Sequence, residues 1–260
     1  MSDAGSVIVI TGASAGIGAA LAARMARDGW RVVLTARREP ELRQVAAGIG
    51  TGAIVVPADV TSRAEVWRVR DRALAELGQV DVWVNNAGRG IHRPVLELTD
   101  ADFDEMMNVN VRSALYGMQA IVPYFIERGH GHLINVSSFL GRVPLVSFRS
   151  AYNAAKAALN ALTANLRVDV RARAPGVHVS LVMPGVVTTQ FARNASHAPA
   201  GSPPFRPPAS GEMRPQSPDE VADAIAGLIA HPAAELYTNS ASAEMAKRYY
   251  EDVERFEKGR

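Results

Sequence analysis

The sequence contains no cysteine among its 260 residues. This absence excludes a disulfide framework, a thiol nucleophile and a thiolate metal site. Long hydrophobic runs are also missing: the apolar segment SVIVI at 6–10 is too short for a signal-peptide core or a membrane span, and the start MSDAG has no basic segment. We therefore expect a soluble, cytoplasmic protein with no membrane partner.

Neither sign of charge is in large excess. Lys and Arg number 28 and Asp and Glu 26, a formal net charge of +2, which is too small to predict a nucleic-acid partner. Hydrophobic residues at 48% and charged residues at 21% leave no compositional basis for disorder. A chain of this length can bury a full core, and one α/β domain of this size is common.

Short β-branched runs alternate with longer helical stretches along the chain. The runs lie at 7–10, 32–35, 54–56 and 82–84, and the alternation continues through the strand HLINVSS and the later strand VHVSLVMP. Runs without polar alternation indicate strands that are covered on both faces, as in a parallel sheet with helical crossovers. No linker or repeat interrupts the series, so we predict a single α/β domain over 1–260.

One long segment breaks this pattern. Residues 197–218, HAPAGSPPFRPPASGEMRPQSP, are too rich in Pro and Gly for regular structure. A long irregular insertion in a compact domain is usually a functional lid or disordered. Because this one follows a strand end, we predict a substrate lid at 190–217.

The segment VIVITGASAGIGAALA runs from a strand through three glycines, Gly12, Gly16 and Gly18, into a helix. Glycines there let the backbone approach a pyrophosphate, and a helix N-terminus supplies free amides. A glycine-rich turn that serves packing only is the alternative, but the flanking strand and helix favour a nucleotide site. After the second strand, LTARREPEL places Arg37 and Arg38 where an arginine accommodates a 2′-phosphate. This favours NADP over NAD, although surface arginines can also be merely solvated.

Tyr152 and Lys156 lie four residues apart in the Ala-rich segment SAYNAAKAALNAL. On a helix they share a face, and an ammonium beside a phenol favours the phenolate and lowers its pKa. The pair is therefore a candidate proton donor. An ordinary amphipathic contact would give the same spacing.

Seven motifs in order resemble the short-chain dehydrogenase/reductase family. They are TGASAGIG at 11–18, Asp59-Val60, NNAG at 85–88, NVN at 108–110, NVSSFLG at 135–141, YNAAK at 152–156 and MPGVVTT at 183–189. The resemblance covers nearly the whole chain. It implies a Rossmann-type doubly wound parallel sheet that binds a nicotinamide cofactor.

The resemblance also implies a catalytic set. Tyr152 would be the general acid/base, and Lys156 would lower its pKa and bind the nicotinamide ribose. Ser138 would hydrogen-bond the substrate oxygen, with Ser137 as the fallback. Asn110 would hold a water that links the lysine to solvent.

The same resemblance implies the cofactor-binding residues. Asp59 and Val60 would meet the adenine, and the segment after Pro184 the nicotinamide carboxamide. The full set is Gly12, Ser14, Ala15, Gly16, Ile17, Gly18, Arg37, Arg38, Asp59, Val60, Asn86, Ala87, Gly88, Tyr152, Lys156, Pro184, Gly185, Val187 and Thr189.

The chain departs from the family pattern in three places. Thirteen residues separate Ser138 from Tyr152, one more than in many members, and Ala15 stands where NADP-preferring members often carry a basic residue. The usual C-terminal strand with a DGG-like turn is missing. In its place we predict an amphipathic helical tail at 240–257, which either docks on its own domain, forms a dimer contact or walls the substrate pocket.

Two groups of polar residues outside the motifs are weaker candidates for functional sites. His130 and His132 in GHGH lack an acidic or cysteine partner, so we predict no metal site. His92, Arg93 and Arg149 follow segments that approach the substrate in the family. Exposed loop positions are the simpler interpretation of these three.

We predict an NADP(H)-dependent oxidoreductase that interconverts a ketone or aldehyde and an alcohol, acting on a small, apolar molecule as a homodimer or homotetramer. A reductase of a carrier-bound biosynthetic intermediate is one alternative. A nucleotide-binding regulator without catalysis is another, and the intact set of candidate catalytic residues disfavours it.

Overall fold

A computed structural model of the chain describes residues 5–50, 52–198 and 214–259. The strands are β1 (Val7–Thr11), β2 (Arg31–Thr35), β3 (Ala53–Val55), β4 (Val82–Asn85), β5 (Gly131–Val136), β6 (Val177–Met183) and β7 (Glu235–Tyr237). The α-helices are α1 (Gly16–Arg27), α2 (Glu39–Ile49), α3 (Arg63–Leu77), α4 (Asp100–Met107), α5 (Ser113–Arg128), α6 (Ser150–Arg173), α7 (Pro218–Ala230), α8 (Ser240–Glu251) and α9 (Val253–Lys258).

All seven strands pair in parallel, in the order β3-β2-β1-β4-β5-β6-β7. The chain order reverses between β1 and β4, which makes the crevice beyond their carboxyl ends the expected ligand site of such a sheet. The predicted doubly wound parallel sheet in a single α/β domain is confirmed.

The sheet separates two hydrophobic cores, because successive residues of a strand point to opposite faces. In β1, Val7 and Val9 join the core formed with α3, α5 and α6. Ile8 and Ile10 join the core formed with α1, α2 and α7. Both faces of the central strands are thus covered, which explains their uninterrupted apolar sequences.

At the C-terminal end, the observed strand and helices differ from those predicted from the sequence. The expected loss of the last strand is wrong: β7 is present and pairs in parallel with Leu181–Met183 of β6. Its three residues begin with an exposed glutamate, so no apolar run marks it. The predicted tail helix is two helices, α8 and α9, separated at Asp252.

The long helical segment between β4 and β5 is interrupted. A π-helical turn, Asn108–Arg112, separates α4 from α5. Residues 199–213, most of the predicted lid, lie outside the described part of the chain. No helix in the described residues has the length and apolar character needed to cross a membrane.

Candidate active site

The glycine turn after β1 is built for close backbone approach. Gly12 has a φ of +68°, and a Cβ there would lie 2.8 Å from the Cα of Ala87. A Cβ on Gly18 would lie 2.5 Å from the carbonyl oxygen of Gly12. Any side chain at these two positions would therefore collide with the turn itself or with the loop after β4.

The N-terminus of α1 opens beside this turn. Its N-cap is Ala15, which offers no side-chain cap, and the first helical turn contains no acidic residue. The first amides of a helix have no intrahelical acceptor and carry partial positive charge. The cradle of glycines and free amides therefore fits a cofactor pyrophosphate.

Thr11 joins the loop after β4 to the glycine turn and was not among the predicted site residues. Its Oγ1 accepts from the backbone N–H groups of Asn86 (2.9 Å) and Ala87 (3.0 Å) and donates to the carbonyl of Val84 at 3.3 Å. Asn86 Nδ2 donates back to the Thr11 carbonyl at 2.9 Å. A threonine at the carboxyl end of the first strand, directly before the glycine motif, is the signal that could have found it.

Tyr152, Lys156 and Ser138 meet beside the carboxyl end of β5. Tyr152 and Lys156 are both buried on the first turns of α6, and Lys156 Nζ lies 5.7 Å from the centre of the phenol ring. Nζ donates to the carbonyl of Val136 at 2.9 Å, while the side chain of Ser138 lies close enough to Tyr152 to lower the pKa of the phenol. The predicted pair therefore shares one buried pocket with the serine.

Burial dominates the electrostatics of this pocket. Burial raises the pKa of Tyr152, and the neighbouring Ser138 side chain and the charge of Arg149 only partly oppose it. Burial also lowers the pKa of Lys156 to about 7. Removal from water therefore outweighs the neighbouring groups in setting the pKa of Tyr152, and the lowering of that pKa by Lys156 stays a prediction.

Ser137 and Ser138 have separate environments. Ser137 Oγ is 2.5 Å from Asn160 Oδ1 and 3.2 Å from the Lys156 carbonyl, a bridge that ties α6 to β5. Ser138 caps the short turn Phe139–Gly141 and is the serine in contact with the phenol. This geometry favours Ser138 over the fallback.

Asn110 sits inside the π-helical turn and is buried. Its Nδ2 donates to the carbonyl of Arg89 at 2.9 Å, and its Oδ1 accepts from the Arg89 N–H at 3.1 Å. A Cβ on Gly88 would lie 2.9 Å from Asn110 Oδ1 and 3.5 Å from Lys156 Nζ. Asn110 and Lys156 thus flank the same glycine, consistent with the frequent use of π-turns at functional sites.

The other predicted cofactor residues line the same edge of the sheet. Thr189, at the end of the segment after β6, would be 3.3 Å from a Cβ on Gly16. Arg38 Nη2 donates to Ser14 Oγ at 3.1 Å and Nη1 to Glu41 at 3.0 Å, while Arg37 is exposed. Ile17, Val60, Gly185 and Val187 are partly buried at this edge, and Pro184 is buried there.

Comparisons with known proteins agree with this geometry. A sequence model of the family described as short chain dehydrogenase matches residues 6–200. The chain belongs to the short-chain dehydrogenase/reductase family. An uncharacterized oxidoreductase of Staphylococcus epidermidis is 31% identical over 226 residues, which cover 87% of this chain and 91% of the relative.

Two solved structures are similar to this chain over most of its length. A short chain dehydrogenase/reductase from Burkholderia phymatum, in complex with NAD, is 27% identical with a TM-score of 0.86, covering 98% of this chain and 96% of that chain. An alcohol dehydrogenase from the archaeon Thermococcus sibiricus, complexed with 5-hydroxy-NADP, is 30% identical with a TM-score of 0.76, covering 89% and 95%. The predicted family is confirmed, and the chain is an oxidoreductase of that family.

The described start of the predicted lid lies over the site of this short-chain dehydrogenase. Backbone hydrogen bonds join Ser196 to Gly90 at 2.9 Å and to His92 at 2.8 Å. Phe191 reaches Tyr152, with ring centres 5.5 Å apart. The segment 190–198 therefore covers the tyrosine, and the continuation of the lid stays a prediction.

The interpretation of His92, Arg93 and Arg149 as exposed loop positions is wrong. Arg149 is buried, with 7% of its surface exposed, and His92 and Arg93 are half-buried. The segments 89–93 and 190–198 cover it, and that long-range contact has no local sequence signal. In GHGH, His130 is exposed, whereas His132 is buried and lies 2.8 Å from Ser180 Oγ.

Asp102 anchors the described start of the lid to α4. Its Oδ2 accepts from the Thr99 N–H at 3.0 Å, closing a capping box, and its Oδ1 lies 2.6 Å from His197 Nε2. These bonds lower the pKa of Asp102 to about 2, the bonds from Thr99 contributing most. The contribution to folding is fully present above the unfolded pKa of about 3.9 and is lost as pH falls through the folded value.

We expect Asp102→Asn to lower the free energy of unfolding by about 1–2 kcal/mol at pH 7, because it removes a cap acceptor and a charged partner. Urea unfolding should show that the difference from the unsubstituted protein shrinks as the pH falls toward 2. The control is Asp104→Asn on the same helix, whose side chain is exposed. A difference that grows at low pH would contradict this account.

Proposed function

We propose that this short-chain dehydrogenase transfers hydride between NADP(H) and the carbonyl carbon of a small ketone or aldehyde, with Tyr152 as the general acid/base. The observation that carries the proposal is the buried Tyr152 beside Ser138 and Lys156, at the same sheet edge as the glycine cradle. The cofactor, when bound, supplies or accepts the hydride.

Each protein group has a distinct task in this proposal. Ser138 and Tyr152 would hold the carbonyl oxygen between them, and Tyr152 would donate its hydroxyl proton to that oxygen during reduction. The raised pKa of Tyr152 keeps the phenol protonated at neutral pH, as a proton donor requires. Lys156, fixed by the Val136 carbonyl, would stabilise the phenolate left behind and contact the nicotinamide ribose.

The cofactor would lie along the carboxyl edge of the sheet. Gly12, Gly16 and Gly18 with the first amides of α1 would hold the pyrophosphate. Asp59 and Val60 would border the adenine, and Asn86 with the segment after Pro184 would complete the site. Phe191 over Tyr152 would exclude water from the reacting carbonyl.

The direct test of this function is oxidation of NADPH and NADH against a panel of ketones, aldehydes and quinones. We expect turnover of at least one carbonyl compound. Measurable cofactor binding without turnover of any of them would instead favour the nucleotide-binding regulator. The proposed homodimer or homotetramer can be measured on the same preparation by light scattering.

Arg37 and Arg38 support NADP as the preferred cofactor. Arg38 is held beside Ser14 at the cradle, and the adjacent Arg37 projects as an exposed cation at the end of β2. We expect Arg37→Asp to lower the ratio of kcat/KM for NADPH over NADH by at least about 10-fold, because a 2′-phosphate would lose a cation and meet a like charge.

Arg43→Asp is the matched control, since Arg43 is an exposed arginine on α2 that pairs with Glu39. The same charge reversal there should leave the NADPH to NADH ratio unchanged. A wild-type preference for NADH would overturn the assignment of NADP.

A further inference from the structure

Arg149 is a buried cation with unused hydrogen-bond donors. In the described part of the chain, its guanidinium makes one hydrogen bond, from Nη1 to the carbonyl of Ile91 at 3.3 Å. A guanidinium carries five N–H donors, and an isolated buried charge is costly unless it is paired. Arg149 has only 7% of its surface exposed. A negatively charged partner would therefore reduce the cost of burying its charge.

The neighbouring carboxylates are engaged elsewhere. Asp102 lies 3.5 Å from Arg93 Nε, and Glu105 lies 2.8 Å from Arg89 Nη1. Among the residues that the structure describes, no carboxylate forms an ion pair with Arg149. Among the described residues, its charge meets the Ile91 carbonyl and the ring of Phe148, whose centre lies 5.8 Å from Cζ, but no negatively charged group.

The guanidinium borders the space in front of the phenol. Arg149 is the N-cap residue of α6 and precedes Tyr152 by three residues, and its charge acts on the phenol. A Cβ on Gly90 would lie 2.4 Å from Arg149 Nη1 and 3.0 Å from Phe191 Cε1. Phe191 in turn packs on Tyr152, so the arginine, the phenylalanine and the phenol surround one region.

His92 adds a second unsatisfied polar atom to this region. Its ring stacks on Phe148 with centres 4.6 Å apart, and its Nδ1 is buried without a hydrogen-bond partner in the described residues. Burial and the charge of Arg149 both lower the pKa of His92, which keeps the ring neutral. A neutral imidazole can donate one more hydrogen bond to an anion held by the arginine.

We propose that Arg149 is a specificity residue that binds a carboxylate group of the carbonyl substrate. This inference rests on the proposed carbonyl reduction and narrows its substrate class to oxo acids. A carboxylate matches the planar guanidinium with two parallel hydrogen bonds and supplies the missing negative charge. Phe191 would pack on the carbon chain between the two polar ends, which retains the apolar character expected from the sequence.

The test compares oxo acids with their methyl esters, which keep the ketone and remove the charge. Calorimetry on the protein saturated with NADP⁺ would use 2-oxobutanoate, 4-oxopentanoate and 5-oxohexanoate, each beside its ester. We expect at least one acid to bind at least about 30-fold more tightly than its ester, because a buried charge pair is formed. In Arg149→Met this preference should disappear, and Arg149→Lys should retain part of it.

Arg93→Met is the matched control, because that guanidinium is already engaged with Asp102. It should leave the ratio of acid to ester affinity unchanged. The proposal is overturned by equal affinity of every acid and its ester in the wild-type protein, or by a preference that survives Arg149→Met. An equal loss for acid and ester in Arg149→Met would show a structural role instead.

Binding of an oxo acid or its ester to the protein saturated with NADP⁺ requires no turnover. The proposed function and the proposed role of Arg149 can therefore be tested separately. If no carbonyl compound oxidises NADPH or NADH, the proposed function is wrong, while the ratio of acid to ester affinity still reports on Arg149. If neutral ketones turn over and oxo acids gain nothing, only the specificity assignment is wrong.

Discussion

Tyr152→Phe is expected to lower kcat for carbonyl reduction by about 10²–10⁴-fold, the usual contribution of a positioned general acid. The substitution removes the hydroxyl that Ser138 contacts and leaves the ring, which packs against Phe191 and the small cluster around Met106. Binding of NADPH should be nearly unchanged. Stopped-flow measurement of NADPH oxidation with a carbonyl substrate gives the comparison.

The pH dependence provides a second readout of the same group. Because burial raises the pKa of Tyr152, reduction should slow as pH rises through that pKa, and oxidation of the alcohol should speed up. Tyr124→Phe is the matched control, since it removes a phenol hydroxyl on α5, away from the site. Substantial residual activity in Tyr152→Phe, with an unchanged pH profile, would contradict the assigned role.

Gly18→Ala is expected to weaken NADPH binding by at least about 100-fold and to destabilise the fold by about 1–3 kcal/mol, the usual cost of overpacking. The new Cβ would lie 2.5 Å from the Gly12 carbonyl oxygen and 2.7 Å from Asn86 Nδ2. Neither neighbour can move without opening the glycine turn or the loop after β4. Fluorescence titration with NADPH and urea unfolding would measure the two effects.

Gly48→Ala is the same chemical change, but we expect it to have the opposite effect on stability. Gly48 lies in α2 and is exposed, and a Cβ added to it would have no neighbouring atom within 4 Å. Alanine there should stabilise the helix by up to about 1 kcal/mol, since glycine is the poorer helix former. Unaltered NADPH binding and stability in Gly18→Ala would refute the steric account of the cradle.

The sequence was sufficient for the central sheet and for the strand-end motifs. The apolar runs that it marked lie in parallel strands, which are buried in β1, β2 and β4 and half-buried in β3. The glycine motif and the tyrosine helix are local patterns in which spacing alone sets the geometry. The local geometry of these two motifs could therefore be predicted from short segments of the sequence.

The remaining features depend on contacts between distant segments. β7 is a strand because β6 offers it a partner, and not because its own three residues favour one. Burial of Arg149 comes from the segments 89–93 and 190–198, which fold over the start of α6. The upward shift of the Tyr152 pKa likewise depends on how completely those segments remove water, which spacing along a helix does not reveal.

The most direct test of the proposed hydride transfer follows deuterium from NADPH labelled at nicotinamide C4. A carbonyl substrate would be incubated with the protein, and the alcohol product analysed by mass spectrometry. Our account predicts deuterium on the carbinol carbon with the wild-type protein and almost none with Tyr152→Phe. Tight NADPH binding with no deuterium transferred to any ketone or aldehyde of the panel would contradict it.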